Sequence, residues 1–141
     1  MSVESDILSS YRTVAVVGLS PTRERDSYRV AAHLKEYGYR VIPVNPMVTE
    51  VLGEACYPDL LSVPGNVEIV DIFRRSGDVP PIVEQAIKIG ARVVWMQEGV
   101  VNAAAALARK AGLAVVMDKC IRKEHELMAG LVRSADDVPN A

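Results

Sequence analysis

The chain has 141 residues, half of them hydrophobic and only 5% aromatic, with a net charge of −2. That length fits one domain able to bury roughly two-thirds of the surface of its unfolded chain. The near-neutral charge supplies no global basic field for nucleic acid, so any anion must be bound by a local arrangement.

No apolar stretch approaches the ~20 residues of a membrane span, and the first residues, MSVESDILSSYR, lack the pattern of a signal peptide. Cys56 and Cys120 are too far apart in sequence to form a metal-type pair. A cytoplasmic protein with free thiols, and with neither membrane nor nucleic acid as partner, is the expectation.

Ile7, Leu8 and Tyr11 share one side of a short helix. Val14, Ala15, Val16 and Val17 then form an apolar run too continuous for a strand with one wet face, which predicts a strand buried on both sides. Gly18 ends it and lets the chain turn without a Cβ between backbone and ligand. A loop bearing Arg23 and Arg25 follows, and Asp26 or Ser27 is expected to cap the next helix. Free N–H groups at that helix start, with Arg29 also near, suit a phosphate.

Val30, Ala31, Leu34 and Tyr37 recur at helical spacing up to the stop at Gly38, leaving His33 off the stripe as a solvated residue. Residues 40–44 (RVIPV) read as a second strand, and Pro43 assigns it to an edge or a bulge. The segment 47–65 is weakly patterned, with a short helix around Pro58, Asp59, Leu60 and Leu61. A third strand spans 67–73, followed by Arg74 and Arg75 and by a helix begun at Pro80 or Pro81 and ended at Gly90. Residues 92–96 make a fourth strand with Trp95 in the core. The Gln97–Gly99 loop leads to a helix over 102–111 with Asn102 as N-cap, and 113–117 is the fifth strand. Asp118, Lys119 and Cys120 open a last helix whose stretch from Lys119 to His125 and Glu126 reads mostly as surface. Residues 1–133 thus form the domain, and 134–141 a polar, disordered tail.

Five alternations of strand and helix predict an α/β fold, a doubly wound five-stranded parallel sheet of Rossmann-like type, with ligands outside the carboxyl ends of the strands at the switch point. In a 3-2-1-4-5 order Gly18, Leu19 and Ser20 would face the Gln97–Gly99 loop. In a 2-1-3-4-5 order Phe73 and Arg74 would move to the centre. A nicotinamide dinucleotide site calls for G-x-G-x-x-G and an acid after the second strand; Gly18 stands alone in its loop and that strand ends at Asn45. A receiver-type magnesium site needs acids after the first strand, where this chain has Gly18, Leu19 and Ser20.

The segments AVVGLSPTRERDSYRVAAHL, VIPVNP, LGEACYPDL, VDIFRRS, VVWMQEGV and VVMDKCIRKEH, in that order, resemble the CoA-binding domain proteins of Rossmann type. The small stand-alone branch is most similar, and the group is related to the first domain of the succinyl-CoA synthetase α subunit. The resemblance implies binding of coenzyme A or an acyl-CoA without catalytic residues. Carried over by position, it implies Gly18, Leu19 and Ser20 at the pyrophosphate, with Arg25, Ser27 and Tyr28 across the loop. It further implies Val44, Asn45 and Pro46 beside the adenosine, Phe73 and Arg74 flanking the nucleotide, and Gln97 and Gly99 along the pantetheine. Where that pattern has a lysine after Asn-Pro this chain has Met47, which shifts phosphate neutralisation to the arginines of the first loop. The alternative is a protein acting on NAD(P), or a redox protein exchanging thiols through Cys120.

Overall fold

The computed structural model describes residues 2–132; the tail expected over 134–141 lies outside them. Five parallel strands form the main sheet: β1 (Thr13–Val17), β2 (Arg40–Val44), β5 (Ile69–Ile72), β6 (Val93–Met96) and β7 (Ala114–Val116). A small antiparallel hairpin, β3 (Glu50–Val51) and β4 (Glu54–Ala55), interrupts the connection from β2 to β5. The helices are α1 (Val3–Ser10), α2 (Asp26–Glu36), α3 (Val79–Lys88), α4 (Ala105–Lys110) and α5 (Ile121–Met128).

The sheet runs β2-β1-β5-β6-β7. This is the 2-1-3-4-5 order of main-sheet strands, and it sets the neighbours of the phosphate loop. β1 lies between β2 and β5, in register Val16 to Pro43 on one side and Val16 to Asp71 on the other. The 3-2-1-4-5 order, which would have set Gly18 against the Gln97 loop, is not the one adopted.

Strand alternation divides the buried side chains between two faces. Val14 and Val16 pack with Ile7, Leu8, Leu34 and Ile121 under α1, α2 and α5, and Trp95 is fully buried there. Ala15 and Val17 pack with Val79, Val83 and Ala108 under α3 and α4. Both faces are dry, which is why β1 reads as an unbroken apolar run. Pro43 sits on the edge strand, where its missing N–H costs no ladder bond.

Local differences from the sequence reading have local causes. β5 is shorter than 67–73, and Glu68 just ahead of it turns its carboxylate onto the N–H groups of Arg12 and Thr13, at 2.9 and 3.0 Å. Asn102 caps a turn ahead of α4, accepting from Ala104 N–H at 2.8 Å, so the helix begins only at Ala105. Arg25, and neither Asp26 nor Ser27, is the N-cap of α2, and it makes no side-chain cap bond.

His33 and His125 are the clear correction. Both are buried, and His33 Nε2 lies 2.8 Å from His125 Nδ1 across the α2 and α5 interface. Glu126 is buried with them, held by Arg122 Nε at 2.6 Å. Neither α2 nor α5 shows from its own pattern that the other will cover it.

Candidate ligand-binding site

After β1 the chain passes through α2 to β2 on one side, and after β2 it crosses to β5 on the other. The crevice therefore opens between β1 and β5, where connections diverge at the carboxyl ends of the strands. Gly18 anchors one wall with φ of +87°, a conformation that L side chains rarely adopt. Its N–H donates to Val44 O at 2.8 Å, while Phe73 N–H donates to Val17 O at 2.9 Å. A Cβ on Gly18 would overlap the Phe73 carbonyl oxygen and approach Arg74 Cδ to 2.9 Å. Backbone packing therefore demands glycine here before any ligand is considered.

The loop beyond Gly18 is stitched onto α2. Ser20 N–H donates to Ser27 Oγ at 3.0 Å, and Thr22 N–H donates to Ser20 Oγ at 3.1 Å. Asn45 fastens the neighbouring loop, with Nδ2 donating to Leu19 O at 3.0 Å and Oδ1 accepting from Met47 N–H at 2.9 Å. The ends of β1 and β2 thus form one tied platform.

Three adjoining cavities cover it. The first, about 580 Å³, is lined by Gly18, Ser20, Arg25, Ser27 and Phe73, with Glu24 and Asp26 on the same wall. The first turn of α2 opens here with no side chain capping it, so its N–H groups and helix dipole are available to an anion. Arg25 is the cation on this wall, flanked by the two acids. The second, about 320 Å³, runs past Phe73, Arg74, Gln97 and Val100 to Cys120 and Lys123. The third, about 340 Å³, is the most apolar, enclosed by Val44, Pro46, Pro58, Leu60, Pro81 and Ile82, with Arg74 at its edge.

Of the thirteen residues singled out from the sequence, nine line a cavity, namely Gly18, Ser20, Arg25, Ser27, Val44, Pro46, Phe73, Arg74 and Gln97, and Asn45 ties the loops behind them. Leu19 is fully buried and offers the site only its carbonyl, which holds Asn45. Tyr28 packs against the core beneath α1, α2 and α5 and lines none of the three cavities. Gly99 is turned away, its N–H donating to Asp118 Oδ1 at 2.7 Å, and Val100 takes its place on the wall. The apolar wall from Pro58, Leu60, Pro81 and Ile82 was missed by pattern reading; Pro58 and Leu60 were read only as part of a short helix and Pro81 only as a helix start.

The second cavity ends at a thiol held in place from two directions. Trp95 Nε1 donates to Lys119 O at 2.8 Å, and Gln97 Oε1 accepts from Ile121 N–H at 3.1 Å, bracketing Cys120. Burial pushes the Cys120 thiol above its ordinary range, partly offset by the N–H groups of Lys123 and Arg122 and by Gln97. Asp71, on β5, is completely buried and neither carboxyl oxygen has a hydrogen-bond partner. Desolvation drives its pKa above the usual carboxylate range. No His, Cys, Asp and Glu cluster able to hold a metal occurs among the described residues, nor is any described helix long and apolar enough to cross a membrane.

Residues 12–126 match the family model described as a CoA binding domain. The chain belongs to that family. It is 38% identical over 121 residues to the uncharacterized protein YneT of Bacillus subtilis (strain 168), spanning 85% of this chain and 90% of that one. The solved structure of a hypothetical protein from Pyrococcus horikoshii OT3 superposes with a TM-score of 0.87 at 44% identity, covering 92% of this chain and 94% of the other. Acetate–CoA ligase [ADP-forming] of Methanocaldococcus jannaschii is 28% identical over 89 residues, which are 63% of this chain but 13% of that enzyme. The family domain is thus found both in chains of this size and as one part of a much larger ligase.

Proposed function

We propose that the protein binds coenzyme A, free or acylated, along the crevice between β1 and β5. The observation that carries this reading is the uncapped start of α2, opening beside Arg25 and the Gly18 loop onto the first cavity. In this reading the pyrophosphate lies at those N–H groups, the adenosine enters the apolar cavity walled by Val44, Pro46 and Leu60, and the pantetheine follows Phe73 and Gln97. Arg74, which borders both outer cavities, is in reach of either half of the ligand. The chain's own contribution is binding and orientation: the tied loops hold their shape, and the apolar cavity excludes water from one end. We further infer a cytoplasmic setting, supported by two free cysteines.

Asn45 favours coenzyme A over a nicotinamide dinucleotide. It stands where a ribose-binding acid would stand, and both ends of its amide are spent on Leu19 and Met47. Thermal unfolding with added nucleotides tests the reading. Coenzyme A at a hundredfold excess over its Kd adds about 2.7 kcal/mol to stability, and NAD and NADP at the same concentration add almost nothing. Stabilisation by NAD or NADP without stabilisation by coenzyme A overturns the proposal.

A further inference from the structure

The second cavity is lined by a cysteine, and an acid without a partner is buried near that cysteine. Cys120 is the residue immediately before α5, 6% exposed, and it makes no side-chain cap bond, with the Lys123 and Arg122 N–H groups near its sulfur. Asp71 lies under the same wall. Alternation along β5 turns its side chain to the side of Phe73, which lines the cavity, and into the cluster that contains Cys120. The two groups sense each other, since Asp71 adds to the rise in the thiol's pKa. A fully buried carboxyl with both oxygens unmatched is rare in a folded protein and marks a polar demand that the chain leaves unmet. Here that demand is buried beside a cavity walled by the apolar Val30, Phe73 and Val100 and by polar groups including Arg74, Gln97 and Lys123.

We propose that Cys120 captures the thiol end of a pantetheine-type ligand as a mixed disulfide, by exchange with the ligand's own symmetric disulfide. The inference rests on the binding of coenzyme A proposed above and gives that site a covalent state. In the exchange the Cys120 sulfur attacks one sulfur of the disulfide. The Cys120–ligand S–S bond forms as the original S–S bond breaks, the electron pair leaves on the departing sulfur, and the proton from Cys120 ends on the released thiol. One disulfide is consumed and one formed, so the ligand disulfide is the only oxidant required.

Selectivity follows from the same geometry. Burial and Asp71 keep the sulfur mostly as thiol, which makes it a poor target for small disulfides in solution. A ligand tethered by its nucleotide half meets Cys120 at an effective concentration in the millimolar range or above, and only such a ligand overcomes the low thiolate fraction.

The test is intact-mass analysis of the reduced protein after incubation with coenzyme A disulfide, with coenzyme A thermal shifts measured in parallel. One coenzyme A moiety should add per chain, be removed by dithiothreitol, be absent in Cys120→Ser and persist in Cys56→Ser. Adenosine 3′,5′-bisphosphate should slow the reaction by competing for the nucleotide half, and glutathione disulfide at equal concentration should react at least tenfold more slowly. Asp71→Asn should move the pH–rate profile toward lower pH, which loss of packing alone would not do. An adduct that survives in Cys120→Ser, or equal rates with the two disulfides, overturns the inference. A coenzyme A thermal shift without any adduct overturns it while leaving the binding reading intact; no shift in wild type or Cys120→Ser overturns both.

Discussion

Protonating the buried histidine pair should loosen the joint between α2 and α5. Burial is the main reason that His33 titrates at about 4 instead of 6.5, with His125 and Arg122 opposing its charge and Glu126 favouring it. His125 is also lowered, mainly by burial, with Arg12 acting in the same sense and Glu126 against it. Tyr37 and Tyr39 complete the surroundings, their rings 5.0 and 5.5 Å from that of His125. With the folded pKa below the unfolded one, the unfolded chain binds more protons between pH 6.5 and 4. Stability is therefore undiminished above pH 6.5 and falls as the pH drops through that window. A shift from 6.5 to about 4 corresponds to a loss of about 3 kcal/mol between pH 8 and pH 4, at 1.36 kcal/mol per unit. Urea unfolding at pH 8, 6, 5 and 4 measures it, with His33→Gln/His125→Gln carrying the background titration of the carboxylates. The wild-type curve should fall more steeply by about that amount. Parallel curves would show that the pair is not held neutral by burial.

Gly18→Ala should cost more than 2 kcal/mol in urea unfolding, because the left-handed backbone alone costs about 1–2 kcal/mol and the new Cβ meets the Phe73 carbonyl. A loss below 0.5 kcal/mol, within the range of ordinary surface changes, would refute the close approach. Arg25→Ala should weaken coenzyme A by roughly 10- to 150-fold in calorimetry, the equivalent of about 1.5–3 kcal/mol for a charged hydrogen bond. Arg109→Ala, exposed on α4 away from the crevice, should leave the affinity unchanged; equal losses at both would reduce the effect to a diffuse field.

What could be read from the chain depended on whether the determining interaction was local. The unbroken run in β1, the edge proline in β2 and the buried Trp95 each carry their burial in their own sequence. The strand order does not, because both doubly wound orders use the same elements; only packing reveals that Gly18 abuts Phe73 and not the Gln97 loop. Nor does the His33–His125 pair, whose partners are 92 positions apart. The β3 and β4 hairpin was invisible for a different reason: two-residue strands are too short to show a period. At the candidate site the polar loops stood out, whereas the apolar wall around Pro58 and Ile82 resembles any other part of a core.

The contact between Gly18 and Phe73 is made by main-chain atoms on both sides. Most tight contacts in a core can be relieved by trimming the opposing side chain, so that a damaging change at one position is rescued by a second elsewhere. No such rescue is open here, because every residue placed at position 73 presents the same carbonyl. Accommodating a side chain at position 18 would require β5 to slide or tilt against β1, disturbing the register from Val14 to Ile69 through Val17 to Ile72. Second-site suppressors of Gly18 substitutions should accordingly be absent from positions 72–74, and any that arise should act globally by adding stability elsewhere in the domain.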